Sequence, residues 1–164
     1  MEVKPTIYIE TTIPSFLTAG PSNNLIVAGK QETPRQWWEQ RKEKYGLFVS
    51  QLVIDEAAKG DAAAARRRLE IVEGISSLEI DAEVVRVTGK IMESGVIPLK
   101  AATDAGHIAV ASRHGMDYLM TWNCTHIANA EILGRMSYLV SEAGYWLPIV
   151  CTPDELFGAE ENEG

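Results

Sequence analysis

Short apolar runs alternate with helical stretches along the whole 164-residue chain, and this alternation predicts a three-layer α/β/α sandwich with a mostly parallel central sheet. Parallel strands need crossover connections with helices on both faces, and the stretches between the runs are long enough to supply them. The chain is 46% hydrophobic and 23% charged, a globular composition, and its length suits one domain with a real core. A single domain over residues 1–157 is expected, followed by a disordered tail at 158–164. No internal repeat divides the chain.

The elements follow in order. Residues 6–10, Thr-Ile-Tyr-Ile-Glu, are β-branched and aromatic and read as the first strand, with Glu10 at its carboxyl end. Thr11, Thr12 and then Pro14 favour a turn into a helix. Residues 25–44 are helical in pattern, and Thr33-Pro34 marks a new helix start, so two helices joined at 31–34 are expected. Residues 47–50 form a second strand, and Ser50 caps a short helix that ends at Gly60. Asp61 caps the next helix and Gly74 stops it. Leu78-Glu-Ile80 is a brief strand before a helix at 82–94, which Gly95 ends. A helix at 101–113, a strand at 118–121, a last strand at 147–152 and a short helix at 153–157 complete the pattern.

A formal charge of −8 argues against a general duplex binder, which gains affinity by neutralising phosphates with Lys and Arg. It leaves room for a nuclease that holds a few phosphates through metal ions; the excess acid can equally serve solubility. No apolar run reaches membrane-spanning length, so a soluble, cytoplasmic protein without membrane contact is expected. Cys124 and Cys151 are too few and too far apart for a disulfide framework and are expected to be free thiols.

In an open parallel sheet, ligands gather outside the carboxyl ends of the strands where the strand order reverses. Glu10 closes the first strand, Asn123 follows the strand beginning at Tyr118, and Asp104 sits near the start of a helix rich in small residues. Glu56, on the helix after the second strand, can converge from the other side, although Asp55 beside it is an alternative. Hard carboxylate oxygens without thiolate pairs fit Mg²⁺ or Mn²⁺ better than zinc. Such ions promote phosphodiester hydrolysis by activating water and stabilising the leaving oxygen. Each residue also has a plainer role: Asp104 and Asn123 suit caps, His107 a packed, hydrogen-bonded histidine, and His114 a helix carboxyl end. The three arginines at 66–68 point in different directions on a helix and read as a solvated face.

Four stretches together resemble the PIN-domain family of nucleases, particularly the VapC-type toxins of toxin–antitoxin pairs. They are Ile-Tyr-Ile-Glu-Thr-Thr-Ile-Pro-Ser at 7–15, Val-Ser-Gln-Leu-Val-Ile-Asp-Glu at 49–56, Thr-Asp-Ala-Gly-His-Ile-Ala-Val-Ala at 103–111, and Asp-Tyr-Leu-Met-Thr-Trp-Asn at 117–123. The resemblance implies a PIN-like fold and an Mg²⁺- or Mn²⁺-dependent ribonuclease acting on RNA, often inhibited by a cognate antitoxin. It places Glu10, Glu56, Asp104 and Asn123 at the four metal-binding and catalytic positions. Glu stands at 10 and Asn at 123 where the family has aspartate; the asparagine keeps an oxygen but loses a charge. Thr11 or Thr12 can orient a metal-bound water, and Thr121 or His126 can contact a phosphate or leaving group. Of Trp37 and Trp38, one is expected to cover the sheet and the other to meet an antitoxin or the second copy of a homodimer. Two other readings stand beside this one: a catalytically weakened PIN-like module that works by binding RNA or protein, and a nucleotide-binding α/β domain. The last lacks any Gly-rich phosphate loop.

Overall fold

A computed structural model describes residues 3–20 and 24–158. Five strands, β1 (Thr6–Ile9), β2 (Gly46–Ser50), β3 (Ser76–Leu78), β4 (Tyr118–Met120) and β5 (Ile149–Cys151), form one sheet in the order β3-β2-β1-β4-β5. Every neighbouring pair is parallel. The chain steps outward from β1 to β3 on one side, then returns to lay β4 and β5 on the other. The strand order therefore reverses between β1 and β4, which opens a crevice at their carboxyl ends. Ile7, Tyr8 and Ile9 are fully buried, as a central strand covered on both faces requires.

Among the described residues seven helices join the strands: α1 (Thr12–Thr18), α2 (Leu25–Gln40), α3 (Gln51–Ala57), α4 (Ala62–Val72), α5 (Ala82–Glu93), α6 (Ala102–Arg113) and α7 (Ala130–Glu142). The expected caps are in place. Ser50 accepts from the Leu52 N–H, and Asp61 from that of Ala64. Gly74 follows α4 at φ +80°, a left-handed conformation that only glycine adopts without strain. The three-layer α/β/α class is the one the sequence predicts. Among the described residues no helix is long and apolar enough to cross a membrane.

Several elements differ from expectation. Residues 25–40 form one helix with Pro34 inside it, rather than two helices joined at 31–34. Gln31, Pro34 and Trp37 recur every third residue and all are buried. Trp37 donates its indole N–H to the Leu156 carbonyl at 2.9 Å, so packing holds the helix through the hydrogen bond that proline cannot make. The third strand lies at Ser76–Leu78, two residues before the expected 78–80. Its partner β2 ends at Ser50, which pairs with Leu78, and pairing has nothing to continue on. Helix α7, which the sequence reading left unassigned, is capped by Asn129 on the Glu131 N–H and buries Met136 and Val140. The last strand shortens to Ile149–Cys151, and the helix expected at 153–157 is a single 3₁₀ turn, Pro153–Glu155. The tail expected to be disordered at 158–164 lies, from 159 onward, outside the described residues.

Candidate active site

Glu10 leaves β1 where its own N–H still bonds the Met120 carbonyl of β4, at 3.1 Å. The chain turns there into α1, and both carboxylate oxygens accept the Thr12 N–H, at 3.1 and 2.9 Å. The side chain is almost wholly buried, 3% exposed. Burial pushes the Glu10 carboxyl above its ordinary value; His107 and the Thr12 donors pull the other way, and the nearby Glu56 charge adds to the rise.

Glu56 arrives on α3, whose start is fixed by the Ser50 cap. Its neighbour Asp55 faces solvent and accepts from Gln51 at 2.8 Å, so Glu56 is the inward acid of the two. Oε1 of Glu56 receives two donors: the Thr11 hydroxyl at 2.7 Å and Nε2 of His107 at 2.5 Å. Burial alone would raise the Glu56 carboxyl, but the hydrogen bond and charge of His107, with the Thr11 hydroxyl and Lys59, hold it below the ordinary range.

His107 is fully buried on α6. Its Nδ1 lies 2.7 Å from the Tyr8 hydroxyl, and that hydroxyl lies 2.7 Å from Oγ of Ser50. Burial, opposed only partly by the Ser50 hydrogen bond, keeps the Tyr8 phenol protonated. Gly106 admits this arrangement, since a Cβ there would meet Cδ1 of Leu52 at 2.8 Å. Five side chains from β1, the turn after it, β2, α3 and α6 thus form one hydrogen-bonded row: Ser50, Tyr8, His107, Glu56 and Thr11. Sequence reasoning gave Ser50 a capping role alone, left Tyr8 as a strand residue and weighed His107 as a packed histidine. Nothing in the sequence pattern distinguishes a buried strand tyrosine that meets a helix histidine from one that packs on apolar groups.

Asp104 stands one helical turn before His107 on α6, and its Oδ2 lies 3.1 Å from Nδ1 of His126. Both side chains are about one-fifth exposed, at 18% and 21%. Asn123 follows β4 and uses its Oδ1 on the backbone N–H groups of Thr125 and His126, at 3.3 and 3.0 Å. That is the capping geometry of a turn, and it delivers His126 to Asp104. Thr121 accepts from the Asn123 N–H at 2.9 Å, and the Thr12 hydroxyl accepts the Trp122 N–H at 2.7 Å. Thr12 and Thr121 hydroxyls are 3.5 Å apart, so these two threonines stitch the ends of β1 and β4 together across the crevice.

The donor set suits a hard divalent cation, being carboxylate oxygens at one strand edge. Among the described residues, however, no three His, Cys, Asp or Glu side chains stand close enough to hold an ion together. Each acid has its own partner instead: Glu10 the Thr12 amide, Oε1 of Glu56 the Thr11 hydroxyl and His107, and Oδ2 of Asp104 His126.

The family model described as the PIN domain matches residues 24–123. That span contains Glu56, Asp104 and Asn123 and begins after Glu10. Among solved structures, VapBC2 from Rickettsia felis bound to a DNA fragment from its promoter is similar at 12% identity and a TM-score of 0.57, covering 90% of this chain and 98% of that one. Among curated protein sequences none matches.

Proposed function

This chain belongs to the PIN-domain family, and on that premise we propose that it is a metal-dependent endoribonuclease, the toxin of a toxin–antitoxin pair. The observation that carries the reading is the placement of Glu10, Glu56 and Asp104 around the crevice where the strand order reverses, the position at which open parallel sheets bind ligands. Glu10, Glu56, Asp104 and Asn123 are proposed to hold Mg²⁺ or Mn²⁺, which when bound supplies an activated water and stabilises the leaving oxygen. Asn123 would contribute the weakest ligand, because it is neutral and its oxygen already serves two backbone N–H groups. Thr12 and Thr121 keep the two strand ends in register, and Thr11 holds Glu56. His126 sits where it can hold Asp104 or meet a phosphate oxygen.

RNA is proposed as the substrate and a cognate antitoxin as the partner, on the motif resemblance; the neighbour in fold is described as a VapBC2 assembly on promoter DNA. A homodimer, a cytoplasmic location and one domain over residues 1–157 belong to the same proposal. The test is Asp104→Asn. Mg²⁺- or Mn²⁺-dependent RNA cleavage should vanish while the melting temperature stays within a few degrees of the parent; equal cleavage by the variant overturns the assignment.

A second reading is favoured by the individually partnered carboxylates and by the capping role of Asn123: a PIN module that has lost efficient catalysis and acts by binding RNA or protein. Calorimetric titration with Mn²⁺ separates the two, since a dismantled site takes up no ion in the micromolar to millimolar range usual for oxygen-ligand sites.

A further inference from the structure

Phe16 and Trp122 form an aromatic pair at the edge of the crevice, their ring centroids 5.8 Å apart and their planes inclined by 33°. The backbone puts them there. Trp122 stands between Thr121 and Asn123 just after β4, and its backbone N–H is the one that the Thr12 hydroxyl accepts at 2.7 Å. Phe16 lies one helical turn beyond Thr12 on α1 and shares its face. The Thr12 N–H in turn holds Glu10, so the pair borders the same strand ends as the acids. It is unlike a core pair. Both residues are half-buried, and Phe16 does not pack on the buried core cluster. The indole N–H of Trp122 is buried without a hydrogen-bond partner among the described residues, so whatever part of the side chain meets solvent is carbon rather than the donor. By contrast, Tyr45 and Tyr118 meet at the amino ends of β2 and β4, and Trp37 is fully buried.

We propose that Phe16 and Trp122 are a stacking platform for an unpaired base of RNA entering the crevice. The proposal rests on the RNA-substrate reading given above and adds the place where a base is gripped. Charge is the first support. A chain of net charge −8 gains little by neutralising phosphates, so its affinity for a polyanion has to come largely from uncharged contacts. Stacking on an aromatic ring is such a contact, and it tolerates sequence because every base has a π-face. Geometry is the second support. One peptide bond joins Trp122 to Asn123, which keeps the ring beside the strand ends rather than on a remote face. With its N–H turned inward, Trp122 has no donor to read a base edge, so the platform grips any base instead of selecting one. An unpaired base can be splayed onto the rings, whereas a duplex keeps its bases stacked within itself.

The test is binding of a single-stranded RNA of about eight nucleotides in EDTA, where no cleavage competes, read by quenching of tryptophan emission. The parent should be quenched. Trp122→Phe should lose most of the quenching yet stay within about threefold in affinity, whereas Trp122→Ala should bind about tenfold more weakly, the scale of one lost base stack. Because stacking carries no charge, that ratio should hold from low to high salt. An abasic RNA of the same length should bind the parent no more tightly than the intact RNA binds Trp122→Ala, and this comparison needs no variant to fold. Equal affinity of the parent for intact and abasic RNA, equal quenching by duplex RNA, full quenching kept by Trp122→Phe, or no RNA binding by the parent overturns the proposal. Mn²⁺-dependent cleavage by the parent is measured separately. Cleavage without base-dependent binding leaves the nuclease reading and removes the platform; base-dependent quenching without cleavage keeps the platform and removes the nuclease reading.

Discussion

Glu56 and Asp104 each face a histidine, yet the two pairs are held in different ways. The His107 ring is 1% exposed and is gripped at both nitrogens, so Glu56 answers to a network that reaches back through Tyr8 to β2. His126 is 21% exposed, reaches Asp104 through one 3.1 Å contact and owes its position to a turn capped by Asn123. One side of the crevice is built like a core and the other like a surface loop. A buried polar group that loses its partner costs its full desolvation, whereas a half-wet pair trades one partner for water. The Glu56 side should therefore govern stability and the Asp104 side should be free to move toward a ligand.

The sharpest break of this contrast is a pair of alanine substitutions. His107→Ala should destabilise the fold by about 2–4 kcal/mol, since it opens a cavity and leaves Tyr8 and Glu56 short of a partner. His126→Ala should cost less than about 1 kcal/mol. Chemical denaturation of both variants measures this, and similar losses would erase the distinction.

Acidity sharpens it next, because the two neighbouring glutamates shift in opposite directions. The Glu56 carboxyl lies below its ordinary 4.5 in the folded chain, so its stabilising contribution is present above that value and is lost as pH falls through the folded pKa. The Glu10 carboxyl lies above 4.5, so it opposes folding progressively as pH rises from 4.5 through its folded pKa. Glu56→Gln should thus be less stable than the parent at pH 7, with the gap closing in acid. Glu10→Gln should be at least as stable as the parent at pH 7 and lose that advantage toward pH 4, as read by melting temperature against pH.

Thr12→Val removes the hydroxyl that accepts the Trp122 N–H and should cost about 1 kcal/mol, loosening the β1–β4 ends without touching the Glu56 row. Gly106→Ala should have the smallest effect, a few tenths to about 1 kcal/mol, because its Cβ meets the mobile tip of Leu52 rather than backbone. A shift of the His107 nitrogen signals in that variant would tie helix approach to the row.

The same contrast explains what could be read from the chain. The positions of Glu10 at the end of β1, of Asp104 in the first turn of α6 and of Asn123 after β4 are legible because strand ends and helix starts have local signatures, whereas which of Asp55 and Glu56 faces inward depends on the packing of α3 against α6. His126 is expected only as a phosphate or leaving-group contact, and its hydrogen bond with Asp104 depends on the turn that Asn123 caps. Tyr8, Ser50 and His107 meet across three elements distant in sequence, and no periodicity encodes such a meeting. Pro34 was misjudged for a related reason: the rule that proline starts a helix is local, and the burial of Trp37 that overrides it is not. Helix α7 carries an ordinary cap and an amphipathic pattern and was within reach of the same rules that found the others.

The strand at the middle of the sheet is the first made and among the last completed. Thr6 bonds the Asp117 carboxylate across a separation of 111 residues, and β1 pairs on its other side with a strand that starts at Gly46. While β4 is still unmade, Ile7, Tyr8 and Ile9 lack their pairing partners Tyr118, Leu119 and Met120, and the turn carrying Asn123 and His126 has nothing to close against. Synthesis and assembly thus run in opposite orders through this molecule. Its slow step should be the late docking of β4 on β1, with an exposed apolar strand edge persisting until then.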